Sequence, residues 1–188
     1  MSGAASANSA AFALFQKLQA RTALKAARYQ DWAPLAMAEQ KRSFKVRRPS
    51  REDVAAARDY LAKNVGDRPT RNWEEYYARE TVKMADWPAK KEIKLQALRI
   101  GDSGIGTTPC ETYGSTGLGI KQAGPFGLTM VMELANGCNG CLPPPDEFEL
   151  VGYTTWRARS SYLEVGAEPK IREMFGSLLK RVARSKVP

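Results

Sequence analysis

Apolar residues recur at near-helical spacing at Phe12, Phe15, Leu18 and Leu24, after Asn8 and Ser9, which predicts an amphipathic helix to about Tyr29 that needs a partner surface. A second helix is expected to start at Ser50 after Pro49, with Asp53 completing an acidic capping box. Val54, Ala57, Leu61 and Val65 share one face of it, and Gly66 is the expected stop. A third helix is predicted over 72–85, carrying Trp73, Tyr76, Tyr77, Val82 and Met84 and broken by Trp87 and Pro88. From Glu92 the period shortens to two. Ile93, Leu95 and Ala97 alternate with Lys94, Gln96 and Leu98, and Gly101 with Asp102 turns the chain into residues 105–108, so a β-hairpin is expected.

Pro109 ends the second strand and leaves Cys110 and Glu111 at its exit, before a glycine-punctuated short helix over 112–122. Residues 128–134 are an apolar run suited to a buried strand, followed by Asn136, Gly137, Cys138, Asn139, Gly140, Cys141 and three prolines that stiffen the loop. The last helix has the clearest stripe: Ile171, Met174, Phe175, Leu178, Leu179 and Val182, with Glu168 near its start and Lys180, Arg181 and Arg184 near its end, as the helix dipole favours. Together these predict an α/β chain of the α+β kind, with helices packed on a small mixed β-sheet.

The 188 residues, 43% hydrophobic and 26% charged, fit one globular domain or part of a larger one. No apolar run approaches the roughly 20 residues that span a bilayer, and the start lacks the basic and apolar regions of a secretory signal, so with Met1 as the true start a cytoplasmic location is expected. The chain has no histidine, which excludes a self-contained Ser-His-Asp triad, Cys-His dyad or histidine-based zinc site. Cys110, Cys138 and Cys141 are an odd set, better read as thiols or metal ligands than as a disulfide framework. Cys138 and Cys141 form a lone CxxC, open to a redox role, to half a zinc site, to a Cys3Glu set with Cys110 and Glu111, or to simple small buried residues.

The net charge of +9 resides in the first hundred residues, which carry 20 Lys and Arg against 11 Asp and Glu, while the remainder is balanced at 9 against 9. The densest basic patch is Lys41, Arg42, Lys45, Arg47, Arg48 and Arg51. It reads either as a solvated linker or as a surface for nucleic acid or another acidic partner. A division into an N-terminal helical and basic segment, 1–49, and a main segment, 50–188, is expected from this composition.

Two strand exits thus carry sulfur and carboxylate side chains, and strand ends are where sites collect in helix-covered sheets. At these exits the stretches LQALRIGDSGIGTTPCE, ELANGCNGCLPPPDEF and GYTTWRARSSYLEV resemble the neutral ceramidase family, zinc enzymes that cleave the amide of N-acylsphingosine. The three run over about 95–165, and a looser likeness extends back to Pro49. The resemblance implies a C-terminal part of a larger hydrolase domain. In that family a glutamate in a Pro-x-Glu turn is a zinc ligand, which falls on Glu111. A tyrosine ligand in a pattern like NGYNGYLP falls on Cys141, since both tyrosine places are cysteine here, Cys138 and Cys141. A further tyrosine resembling an oxyanion stabiliser falls on Tyr153. The family's two histidine ligands have no counterpart in this chain, so the resemblance implies a missing histidine-bearing N-terminal segment, a lipid-like N-acyl amide as substrate of the completed enzyme, and no activity for the chain alone. Gly114, Gly117 and Gly119 match no phosphate-loop spacing, and Trp156, Arg157 and Arg159 are read as pocket wall or domain contact.

Overall fold

The computed structural model describes residues 3–65 and 69–186, with the backbone alone for residues 3–13. Phe12 of the predicted helix stripe and the expected stop at Gly66 therefore lie outside the described side chains and residues. The chain divides into two compact units, up to Ala33 and from Pro34 onward. The first unit contains helix α1, Gly3–Ala26, which is rich in alanine and other strong helix formers. It begins before Asn8 and Ser9 rather than after them. Leu14, Phe15, Leu18 and Leu24 are exposed.

The second unit is built on a four-stranded mixed sheet in the order β1-β2-β3-β5. Strand β1, Leu35–Lys45, pairs antiparallel with β2, Lys90–Ile100, across its full length. Strand β3, Ser103–Thr107, returns from β2 through a turn at Gly101 (φ +60°) and Asp102, as the hairpin reading expects. Strand β5, Leu128–Met132, lies parallel to β3. Between them come the two-residue strand β4, Glu111–Thr112, and helix α4, Gly114–Ala123. The sheet was expected to be mixed and small, and it is. Of the basic stretch read as a solvated linker or a partner surface, Lys41, Arg42 and Lys45 lie in strand β1, whose Ala36, Ala38 and Phe44 alternate onto the core face.

Helix α2, Arg51–Asn64, starts with the predicted capping box: the Asp53 amide donates to Ser50 Oγ (2.9 Å) and the Ser50 amide to Asp53 Oδ2 (3.0 Å). Helix α3, Trp73–Lys83, is capped by Asn72. The short strand β6, Cys141–Leu142, and helix α5, Glu147–Leu150, lead to helix α6, Ala167–Ala183. The stripe of α6 is buried on β1, β2 and β3 against Phe44, Ile93, Leu95 and Ala97. Phe175 lies directly over Gly106, where any Cβ would run into its ring. The carboxylate of Glu168, expected near the helix start as a dipole partner, is buried and accepts a hydrogen bond from Thr116 Oγ1 of α4 (2.8 Å).

Helices cover one face of the sheet. The other carries Leu35, Met37, Leu98, Ile100, Ile105, Leu128, Met130 and Met132, which the register places side by side across the four strands. Leu35 is 64% exposed and Leu128 60%. Strand β5 was expected to be buried; Leu128, Met130 and Met132 are instead exposed.

Candidate functional site

The chain leaves β3 at Thr107 and crosses to β4 through Thr108, Pro109 and Cys110. Backbone bonds from Thr108 to the Met132 carbonyl (2.9 Å) and from Ala135 to the Thr108 carbonyl (2.9 Å) stitch this exit to the exit of β5. The following loop returns as β6, which pairs parallel with β4 so that Glu111 stands opposite Cys141. Gly140, at φ +70°, makes this possible: a Cβ there would collide with the Ser160 carbonyl. The Glu111 amide donates to the Gly140 carbonyl (2.9 Å) and the Cys141 amide to that of Ser160 (2.7 Å), so both residues are fixed by backbone.

The Cys141 thiol then donates to Glu111 Oε2 at 3.2 Å. Burial, this hydrogen bond and the charge of Glu111 push the thiol up to about 12, so it holds its proton at neutral pH. An open pocket of about 320 Å³ is lined by Glu111, Cys141, Tyr153, Tyr113, Thr154 and Glu133, with Thr112 and Leu134 completing it. The three positions named from the motifs, 111, 141 and 153, thus meet on one rim. Tyr113 and Thr154 close one side with an Oη–Oγ1 hydrogen bond of 2.5 Å, and Glu133 accepts from the Thr112 amide at 2.6 Å. Sequence reasoning missed Tyr113, Glu133 and Thr154; the place of Glu133 at the exit of β5 is the one signal that pointed there. Leu134, Asn136 and Val151 all hold positive φ (52°, 62° and 51°), a clustering of strained backbone beside the pocket.

The other two cysteines stand apart in environment. Cys110 is fully buried in the core and Cys138 is exposed. Among the described residues no group of three or more His, Cys, Asp or Glu side chains could hold a metal ion, so the Cys3Glu set is not assembled. The Cys141 thiol and the Glu111 carboxylate, joined by a 3.2 Å hydrogen bond, are two donors where zinc sites use three or four, so the described residues do not make a zinc site.

The family model scan matches no family, and no curated protein sequence matches. The likeness is to solved ceramidase structures. A ceramidase complexed with C2 aligns at 15% identity and TM-score 0.43 over 69% of this chain and 23% of its own. Neutral ceramidase from Pseudomonas aeruginosa aligns at 15% identity and TM-score 0.46 over 81% of this chain and 30% of its own. The chain spans less than a third of the length of either.

The residues of the basic patch are spread over several environments, with Arg48 and Arg51 lining a cavity of about 410 Å³. Lys41 and Lys45 point to one side of β1 and Arg42 to the other, Lys41 pairs with Glu92 (3.2 Å), and Arg42 lies over the Phe44 ring. Arg47 turns inward and donates to the carbonyls of Leu163, Thr155 and Ser161, while Arg48 donates to that of Ala85. Arg51 opens helix α2. No helix among the described residues is long and apolar enough to cross a membrane.

Proposed function

We propose that the chain is the C-terminal portion of a metal-dependent amide hydrolase of neutral-ceramidase type, inactive until another segment completes its site. The observation that carries this reading is the meeting of Glu111, Cys141 and Tyr153, separated by 30 and 12 residues, on one open pocket at two strand exits. The three family-like motifs single out the same three positions.

In this reading Glu111 and Cys141 provide two donors of the metal set, zinc being the expected ion, and a histidine-bearing segment provides the others. The ion would supply polarisation of the amide carbonyl and a bound water of near-neutral pKa. Tyr153, lining the same pocket and 68% exposed, would donate its hydroxyl to the oxyanion that develops on that carbonyl. The parallel β4–β6 pair, with Leu142 of β6 in the core, holds Glu111 opposite Cys141 before any set of donors is complete. The exposed apolar side chains of the sheet support the same view. Met130 and Met132 lead into Glu133 and Leu134 at the pocket, so a polypeptide layer that covered the apolar face would end beside the two donors. The expected substrate is a linear N-acyl amide.

Cobalt(II), which reports thiolate ligation by its absorption, tests the donor roles. At millimolar cobalt the intact chain is expected to show a thiolate-to-cobalt band that is absent in Cys141→Ser, weakened in Glu111→Gln and retained in Cys138→Ser. No hydrolysis of a ceramide-like amide is expected. Absence of the band would overturn the donor roles, and turnover that vanishes in Glu111→Ala would overturn the claim of inactivity.

A further inference from the structure

The loop between β5 and β6 contains the same dipeptide twice, Asn136–Gly137 and Asn139–Gly140. A glycine after an asparagine carries no side chain to shield its amide nitrogen from the carboxamide before it, so the two groups can react with each other. Neither glycine amide has a hydrogen-bond partner among the described residues. What differs between the copies is the carboxamide and its access to water. Asn136, at φ +62°, and Gly137 are both exposed, and the Asn136 carboxamide donates from Nδ2 to Oε1 of Gln96 at 2.6 Å. Asn139 is half-buried and Gly140 buried. The Asn139 amide donates to the Pro109 carbonyl (2.6 Å), and its Oδ1 accepts from the hydroxyl of Tyr162, a core residue, at 2.6 Å. One copy is open to solvent, and the other is clamped at both backbone and side chain.

We propose that Asn136 is a site of covalent modification, deamidation through a cyclic imide, and that the fold directs the reaction there and away from Asn139. The Gly137 nitrogen gives its proton to solvent base and attacks Cγ of Asn136. The new N–C bond closes a succinimide ring as Nδ2 departs, taking a proton from water, as ammonia. Water then opens the ring at either carbonyl and leaves aspartate or isoaspartate at position 136, so water is the only co-reactant. Cyclisation requires the carboxamide to turn toward the following nitrogen. The bond to Gln96 joins two side chains at the surface, where water replaces it readily, whereas release of Asn139 leaves the hydroxyl of a core tyrosine without its acceptor. Gln96 also donates from Nε2 to Glu39 Oε2 (3.1 Å), so a carboxylate at position 136 puts Gln96 between two acceptors and removes the donor from its Oε1. The isoaspartyl product lengthens the backbone of the loop that leads to Cys141. This chemistry is independent of the donor roles of Glu111 and Cys141.

Incubation of the intact chain in mildly alkaline, reducing buffer, sampled over time by proteolysis and tandem mass spectrometry, tests the site. Asn136 is expected to deamidate at least about tenfold faster than Asn139, with isoaspartate among its products. The same chain unfolded in guanidinium chloride should react at the two positions at rates within about threefold of each other, because both then present the same dipeptide to water. Tyr162→Phe, which removes only the hydroxyl, should raise the rate at Asn139 by about threefold or more and leave that at Asn136 unchanged. Its unfolding midpoint guards against a general loosening of the fold. Equal rates in the folded chain, an intact Asn136 over the time in which the unfolded chain reacts, or a tenfold preference that persists after unfolding overturns the proposal. Aspartate without isoaspartate at position 136 overturns the cyclic route, and an unchanged Asn139 rate in Tyr162→Phe overturns the clamp.

Discussion

The thiol of Cys141 donates to a carboxylate oxygen of Glu111 at 3.2 Å, across a two-residue parallel strand pair that joins segments 30 residues apart. Nothing in either local sequence requires that pairing. It follows from the tight loop at Gly140 and from the stitching of both strand exits to the main sheet.

Gly140→Ala should therefore damage fold and site together. The substitution forces a side chain into φ +70° and against the Ser160 carbonyl, and a loss of about 2 kcal/mol in urea-unfolding free energy is expected. The cobalt–thiolate band should weaken in the same variant, because Cys141 is the next residue.

Arg47 anchors the end of β1 with four donations to uncharged oxygens and a stacking contact 4.9 Å over the Phe148 ring. Burial first, then the nearby charge of Arg157, lower its pKa to about 10, and the guanidinium still carries its proton at neutral pH. A lysine cannot reproduce that fork. Arg47→Lys should destabilise by about 2 kcal/mol, against a change within about 0.5 kcal/mol for the exposed Arg42→Gln, as measured by thermal or urea unfolding.

Glu80 supplies a pH-dependent element. Burial raises its pKa, but hydrogen bonds from Arg159 and Lys83 outweigh that and leave it lowered. A depressed folded-state pKa means the contribution is present above the unfolded value, near 4.3, and is lost as pH falls through the folded value. Glu80→Gln should then be less stable than the native chain by about 2 kcal/mol at pH 7, and the gap should shrink as pH falls below about 4. A gap independent of pH between 7 and 3 would contradict the assignment.

The apolar sheet face makes the isolated chain prone to associate. Leu128→Lys combined with Met130→Glu, both outward on β5, should reduce dye binding to exposed apolar surface and concentration-dependent association in sedimentation, while unfolding free energy changes by less than about 1 kcal/mol.

Local sequence determined the elements wherever periodicity and caps agree. The Ser50–Asp53 box, the turn at Gly101 and Asp102 and the stripe of α6 are all set by residues within a few positions of one another, and each stands where its pattern predicts. The second half of strand β1 was read as a solvated linker or a partner surface because the charges at Lys41, Arg42 and Lys45 masked a half-buried alternation that has meaning only beside β2. Likewise the apolar run of β5 predicted burial, yet whether a strand face is covered depends on what other layers exist. The motifs named Glu111, Cys141 and Tyr153 one at a time; their common rim was decided by tertiary structure alone. Hydrogen-bonded loops joining distant strand exits set those distances, and a side chain's neighbours across 30 or more residues are fixed by packing rather than by any period in the chain.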